Sequence, residues 1–366
     1  MTYNLQIYKL PKNNNLNIFL NSKKYLLTSP IENYPLFNLG YHHFINRTRQ
    51  TLMIKEKSVE SKNNIHYVVN PFEPNISNYE DNLNNLTKIY IKKEIQNRNF
   101  FKYWEIYYIF DIFHKDSLNI LYLDTPDNDE TLDSFRNKIM NKKDKEIKLA
   151  SKEKADLIIS NSPVNDENQF VKELLDIINK VTTKQNKNGN LILKINDTFT
   201  MSTLKLLYLL SLLYNESYIY KPFFSRPSDT EKYIILVGYL DKDISKIDFD
   251  SIIKKSKDKN ISDLFIDIKI NQNFIDIFKF INIRLVNQQQ IIINDIIKYI
   301  NNNNYYGDKY HEYTNQQIEA SQWWMKTFFP PSNNIYKTNK ENINKNINST
   351  VDKNNLEKDN FINNIV

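Results

Sequence analysis

Short apolar runs alternate with longer amphipathic segments through the middle of the chain. The apolar runs occupy residues 118–124, 156–160, 190–195, 217–220 and 232–239. Runs of this length are typical of strands that are buried on both faces of a sheet. Between them, apolar residues recur at helical spacing over 169–181 and from Leu204 to Leu213. The alternation predicts an α/β fold in which all five runs lie in one mostly parallel sheet flanked by helices.

The two ends of the chain have different patterns. Residues 1–85 mix short apolar runs with polar breaks and prolines, which predicts a small β-rich region ahead of a central domain at 86–245. Residues 246–330 return to helical spacing, and we expect a helical extension that packs on the core through the aromatic residues of its last helix. Residues 331–366 are rich in Asn and Lys with no lasting period, which predicts a disordered tail.

Composition excludes several classes of site. The 366-residue chain has no cysteine, which excludes disulfide scaffolds, thiol nucleophiles and cysteine-bound zinc. The five histidines show no metal-ligand spacing, so no metal site is expected. Because no run of about 18 apolar residues and no signal-peptide core occur, we expect an intracellular, cytoplasmic protein without a membrane anchor. The formal charge of +6 is mildly basic and gives only weak support for nucleic-acid binding.

One strand carries a lysine where the pattern predicts an aliphatic residue. Lys194 is the exception in the apolar run 190–195. Ligands of α/β sheets bind at the carboxyl ends of the strands, where Asp124, Asn161 and Asn196 would collect. We expect Lys194 to point into the same crevice. A lysine that only extends its ammonium group to solvent is the alternative interpretation.

A recognisable order of motifs surrounds this lysine. A KP-x-x-SR turn follows a leucine-rich helix, and a glutamate stands at the mouth of the last hairpin. From about Phe100 to Leu240 the chain resembles the FtsJ-type RNA ribose 2'-O-methyltransferases, the family of many cap and rRNA methyltransferases, in a divergent form of viral type. The resemblance implies a Rossmann-like methyltransferase sheet whose last hairpin is antiparallel. The matching residues are Lys194, Lys221, Pro222, Ser225, Arg226, Ser228 and Glu231.

The resemblance implies a catalytic tetrad in the order Lys-Asp-Lys-Glu. Methyl transfer from S-adenosylmethionine to a ribose hydroxyl requires removal of a proton, and a lysine can assist when its surroundings lower its pKa. The matching positions are Lys102, Asn161, Lys194 and Glu231. Asn161 replaces the aspartate, so it keeps an acceptor but loses the charge. An exposed helix lysine is the alternative interpretation of Lys102.

The donor site departs further from the family. The first strand should run into a glycine-rich turn that lets the backbone approach the cofactor, which implies Asp124, Thr125 and Pro126 as the cofactor-binding residues. The chain instead has DTPDNDET from Asp124 to Thr131, without a glycine. Only 31 residues separate Asp124 from Asp156, about half of what two helices and a strand need. The second strand is therefore expected to be shortened or lost, with a solvated loop or exposed helix in the charged segment.

The turn before the last strand offers candidate contacts for RNA. The predicted RNA-binding residues are Lys221, Ser225, Arg226 and Ser228. The two cations would contact phosphates. Phe223 and Phe224 lie beside them, either to stack on bases or as core residues.

Three functions fit these residues. The first is an FtsJ-like protein with a degraded S-adenosylmethionine site that acts as an RNA-binding or regulatory subunit, beside a catalytic partner of a capping or RNA-processing complex. The second is a divergent active enzyme that methylates capped mRNA or other RNA at the ribose 2' position. The third is a structural protein that uses the fold as a scaffold. Several independent departures converge on one ligand, which favours the first. If the protein is viral, the virion is a further expected location.

Overall fold

The chain folds around two sheets. A computed structural model describes residues 3–12, 16–20, 25–28, 39–59, 65–73, 98–112, 115–124, 136, 142–162, 164–302, 307–329 and 333–363. In chain order the strands are β1 Gln6–Lys9, β2 Tyr25–Thr28, β3 Asn119–Tyr122, β4 Lys145–Glu146, β5 Ala155–Ser160, β6 Gln185–Ile195, β7 Tyr214–Lys221, β8 Lys232–Tyr239 and β9 Asn260–Leu264. Strands β1, β7, β8, β6, β5, β3 and β4 lie side by side in that order in a seven-stranded sheet, and β2 pairs with β9.

Helices cover both faces of the large sheet. They are α1 Asn17–Leu20, α2 Leu39–Glu56, α3 Arg98–Ile109, α4 Glu167–Lys184, α5 Met201–Leu212, α6 Phe249–Lys255, α7 Gln272–Asn301, α8 Asp308–Phe328 and α9 Asn333–Asn363. A short 3-10 helix spans Ile65–Val68. Across the described residues, no helix combines the length and the apolar content that crossing a membrane requires.

The middle of the large sheet is parallel, and one side of it is antiparallel. β4, β3, β5 and β6 run parallel to one another, whereas β8 is antiparallel to β6 and β7, and β1 is antiparallel to β7. All five predicted strands lie in this sheet, which confirms that they share one sheet. The prediction of a mostly parallel sheet holds only for its middle, because three of the six strand pairings are antiparallel. A mixed α/β sheet with flanking helices and a helical carboxyl-terminal part is compatible with a Rossmann-like fold.

Successive residues of β6 face two different cores. Leu191 and Leu193 pack in a core with α4 and α5, whereas Ile192 packs in a second core with α3 and α8. Because side chains alternate along a strand, Lys194 lies on the same face as Ile192. That face is the one covered by α3, the helix that carries Lys102. The pleat of β6 therefore directs the unusual lysine toward this helix.

The amino-terminal part differs from the β-rich region predicted for residues 1–85. Its longest described element is α2, an 18-residue helix that includes most of the run TLMIKEK at 51–57, within the region predicted to be rich in strands. Ile45 and Leu52, seven positions apart, join a cluster with Val286 and Ile293 of α7. A stripe with this spacing forms one face of a helix. It is hard to recognise in the sequence because polar residues lie between its members.

The carboxyl-terminal part also differs from its prediction. Residues 333–363 form the 31-residue helix α9, not a disordered tail. Ile343, Ile347 and Val351 recur every four positions and pack against the core that contains α3 and α8. Asn and Lys fill the positions between them, so the biased composition conceals a continuous apolar stripe.

The second strand of the parallel part is shortened, as the spacing predicts. β4 has two residues, both exposed, and pairs in parallel with β3 at the edge of the sheet. Its short length follows from the charged segment that contains it, which has few side chains to bury against a helix.

Candidate functional site

A cleft of about 940 Å³ opens at the carboxyl ends of β5 and β6. Residues that follow these two strands line it, together with residues of α3 and of the loop between β7 and β8. Helix α2 contributes a further wall. The position is the one at which α/β sheets bind ligands, because strand ends and the loops after them meet there.

Lys102 and Glu231 form a buried ion pair at this cleft. Lys102 Nζ lies 2.8 Å from Glu231 Oε1 and 2.7 Å from Oε2. Ser225 Oγ and Tyr233 OH donate to the same carboxylate, at 3.1 and 3.0 Å. Burial would raise the pKa of Glu231, but Lys102, through its charge and hydrogen bond, and Lys194, through its charge, lower it to about 2. The carboxylate is therefore ionised at neutral pH.

Lys194 lines the cleft beside this ion pair. It lies opposite Tyr233 in the ladder between β6 and β8, and the hydroxyl of Tyr233 bonds Glu231. The side chain is half-buried. Among the described residues, none lies within hydrogen-bonding distance of its ammonium group. Lys194 and Glu231 thus face one cleft, as expected from the sequence, and Lys194 can contact a ligand there.

Asn161 lies apart from this cluster. Its backbone N–H donates to Asp124 Oδ2 at 2.5 Å, and Ser160 Oγ donates to the same oxygen at 3.0 Å. Its side-chain Oδ1 is buried and has no hydrogen-bond partner within the described ranges. Neither Asn161 nor Asp124 lines the cleft. The structure therefore brings together three of the four tetrad positions, and Thr125 and Pro126 lie outside the described residues.

The turn predicted to contact RNA is held by internal hydrogen bonds. Lys221 is buried and donates to the backbone carbonyls of Asp229 and Glu231, each at 2.8 Å. Burial lowers the pKa of Lys221 to about 8, although both acids oppose this. Arg226 lines the cleft but pairs with Glu73 at 2.6 Å. Lys221, expected at a phosphate, instead stabilises its own loop.

The other residues of this turn are also turned inward. Ser225 is buried and bonds the Glu231 carboxylate. Ser228 is buried, and its carbonyl accepts from Gln289 of α7. Phe224 lies in the core, and Phe223 packs against its aromatic surroundings. Of the two interpretations of these phenylalanines, the core is the one the structure supports.

Sequence reasoning missed an ion pair that joins α2 to the sheet. Arg49 Nη1 donates to Asp197 Oδ2 at 2.9 Å, and Arg49 Nη2 donates to Oδ1 at 3.2 Å. Asp197 lies two residues after the end of β6, so its position beyond a strand was a usable signal. No sequence signal marked Arg49, because its partner is 148 residues away. Nearby, the half-buried carboxylate of Glu167 accepts from the backbone N–H groups of Phe199 and Thr200, at 3.0 and 2.8 Å, and so fixes the loop after β6.

Charges in the cleft are nearly balanced. Of the described residues that line it, six carry a carboxylate and four are lysine or arginine. Three of these four cations, all except Lys194, form the ion pairs given above. Such a cleft has little capacity to bind a row of phosphates, which requires several available cations.

Comparison with known proteins gives two partial matches. The chain is 29% identical over 240 residues to an uncharacterized protein of Acanthamoeba polyphaga mimivirus, over 63% of this chain and 66% of that protein. It is 44% identical over 64 residues to the cap-specific mRNA (nucleoside-2'-O-)-methyltransferase 1 of Dictyostelium discoideum, over 17% of this chain and 8% of that protein. The matches thus span less than two thirds of either relative. No family model matches the chain.

Proposed function

We propose that the chain is an FtsJ-like RNA-binding protein, related to the cap 2'-O-methyltransferases, that acts in cap or RNA modification without a donor site of its own. The observation that carries the proposal is the placement of Lys194 in the cleft beside the buried Lys102–Glu231 pair. These are three positions of the family tetrad, arranged around one opening at the strand ends. The short similarity to a cap-specific methyltransferase supports the same relationship.

The residues expected at the donor site favour a protein that does not itself transfer a methyl group. S-adenosylmethionine supplies the methyl group in this family. Asp124, the acid at the end of β3, has one carboxylate oxygen occupied by the end of β5 and lies outside the cleft. Asn161 has no charge with which to support a pair of lysines. These described residues do not fit the donor, so we assign the chain no methyl-transfer step and propose that a catalytic partner subunit supplies it.

An active methyltransferase is the second candidate. It is favoured by the ionised Glu231, which holds Lys102, and by Lys194, whose ammonium is available in the same cleft. Such an arrangement suits the positioning of a ribose hydroxyl whose proton must leave.

The first test measures binding of a short 5'-capped RNA to the full chain by fluorescence anisotropy. We expect binding that Lys194→Ala weakens about tenfold, the loss of one charge-assisted hydrogen bond. Lys187→Ala is the matched control, because Lys187 is an exposed lysine of the same strand at its opposite end. We expect this control to leave the affinity unchanged. Equal affinities for the wild type and Lys194→Ala would contradict the proposal.

The second test separates the two candidates. In a calorimetric titration with S-adenosylmethionine, the proposal expects no detectable binding. Tight donor binding, together with transfer of a labelled methyl group to capped RNA that Lys194→Ala abolishes, would establish the active enzyme instead.

A further inference from the structure

Helix α2 presents one mostly polar stripe to the cleft. Its members are His42, Asn46, Arg49, Met53 and Glu56. They follow one another at intervals of three or four residues, which places them on one face of a helix. Since Lys194 lines the same cleft, a ligand that contacts this lysine is bounded by the stripe.

The carboxamide of Asn46 has a defined orientation. Arg49 Nη1, which can only donate, lies 3.2 Å from Asn46 Oδ1, so the carboxamide oxygen faces the arginine. The amide nitrogen then faces His42 Nε2 at 3.2 Å and donates to it. This requires a neutral imidazole with its proton on Nδ1. Burial lowers the pKa of His42, against the opposing charge of Asp197, and so favours the neutral form.

Asn46 keeps half of its hydrogen-bonding capacity. A carboxamide has two N–H donors and two acceptor lone pairs, and Asn46 uses one of each within the stripe. The remaining N–H and lone pair are open to a ligand that offers both an acceptor and a donor. A nucleobase offers both, whereas a phosphate accepts but never donates.

Arg49, the arginine of the stripe, is not available to bind a ligand in place of Asn46. Arg49 is fixed by two hydrogen bonds to Asp197 and by a third to Gln289 at 3.0 Å. Its charge is therefore compensated, and the stripe offers little attraction to a phosphate. Met53, in contrast, is 53% exposed and presents a flexible apolar side chain suited to packing on a flat ring. Seven residues, about 10 Å along the axis, separate Met53 from Asn46. This exceeds the ~3.4 Å rise between stacked nucleotides of one strand, so the two side chains would meet different nucleotides.

We propose that α2 is a base-recognition element: Asn46 bonds the edge of a nucleobase, and Met53 packs on another base, in an RNA whose ribose lies at Lys194. The inference rests on the proposed function and deepens it. It assigns base contacts to the amino-terminal helix and assigns the ribose and backbone to the sheet. Base contacts determine sequence preference, whereas phosphate contacts determine the salt dependence of binding.

The experiment compares four short capped RNAs that differ only in the first transcribed nucleotide. For the full-length wild-type chain we expect one base to be preferred by about tenfold, the size of one bidentate base contact. Asn46→Ala is expected to reduce this preference to within about twofold and to leave the slope of log K against log salt unchanged. Gln50→Ala, an exposed carboxamide on the same helix outside the cleft, should keep the wild-type preference.

Met53→Ala provides a second variant, because an exposed methionine can be truncated without unfolding the helix. It should weaken RNA binding about threefold through lost contact with one base, again at constant salt slope. Equal affinity of the wild type for all four RNAs, or an equal loss for all four in Asn46→Ala, would overturn the inference. If Lys194→Ala still weakened binding, the proposed function would stand. Absence of binding to every RNA would refute both proposals.

Discussion

The ion pair between Lys102 and Glu231 should stabilise the fold as well as shape the cleft. Glu231→Gln would leave a buried ammonium without its carboxylate, so we expect the free energy of unfolding to fall by about 3 kcal/mol. Urea unfolding at neutral pH measures this. Glu153→Gln is the matched control, since Glu153 pairs with Lys145 at 2.6 Å on the surface. It should cost less than about 1 kcal/mol. Equal effects of the two substitutions would mean that Glu231 is not buried with a paired charge.

The same pair predicts a pH dependence. The pKa of Glu231 falls from 4.5 to about 2 in the folded chain. A carboxyl group with a lowered folded pKa contributes stability that is fully present above its unfolded pKa and is lost as the pH falls through the folded value. The difference in unfolding free energy between wild type and Glu231→Gln should therefore shrink between pH 4.5 and about 2. A difference that stays constant over this window would contradict the assignment.

The individual site residues were only partly accessible to sequence reasoning. Lys194 could be identified because a charged residue in an apolar strand is unusual. Glu231 was identified only through the resemblance to the FtsJ-type methyltransferases. The inward turn of Lys221 was not, because its partners are backbone carbonyls that no sequence pattern marks. Arg49 was not identified for another reason, because it contacts Asp197 only after the chain has folded.

Helix α3 depends on a buried acid for its attachment to the sheet. Glu105 accepts from Tyr220 OH at 2.8 Å, from the Phe223 N–H at 2.9 Å and from Trp324 Nε1 at 2.9 Å. Burial raises the pKa of Glu105 to about 7, although these donors oppose the rise. One carboxyl group thus connects α3 with β7, the turn after it and α8, one helical turn away from Lys102.

This attachment has its own pH signature, opposite in sign to that of Glu231. With a raised folded pKa, Glu105 stays protonated in the folded chain while the unfolded chain releases its proton, so stability falls as the pH rises from 4.5 to about 7. We expect this loss to reach at most about 3 kcal/mol. It should be absent in Glu105→Gln, whose urea unfolding is compared with wild type at pH 5 and 7. Parallel curves for the two proteins would contradict the raised pKa.

The prediction of whole elements succeeded where the hydrophobic period was uninterrupted. The strands at 156–160 and 232–239 are dense apolar runs, and the sheet contains both. Helices α2 and α9 were not predicted. Each buries only one narrow apolar stripe, and polar residues separate its members in the sequence, so they look like isolated apolar positions. Length and spacing nevertheless identified the shortened second strand, since 31 residues between Asp124 and Asp156 leave room for little else.

Across the molecule, α9 connects elements that are far apart in sequence. Lys340 Nζ donates to the carbonyls of Tyr108 and Ile109, at 2.5 and 2.8 Å, where α3 ends. Asn354 Nδ2 donates to the carbonyl of Ile7 in β1 at 2.7 Å. A cation at the carboxyl end of a helix compensates both the unpaired carbonyls and the helix dipole. The carboxyl-terminal helix thereby stabilises α3, which carries Lys102, and the edge strand of the sheet.

The contribution of this contact can be measured with Lys340→Met, which keeps the apolar part of the side chain but removes its donors. We expect a loss of about 1 to 2 kcal/mol in unfolding free energy, because two carbonyls at the end of α3 lose their partner. Limited proteolysis within 333–363 should also become faster, since α9 is released more often. Lys345→Met, at an exposed position of the same helix, should change neither. Rapid cleavage of this segment in the wild-type chain would instead favour the disordered tail that composition predicts, because a docked helix resists proteases only while its buried stripe stays in place.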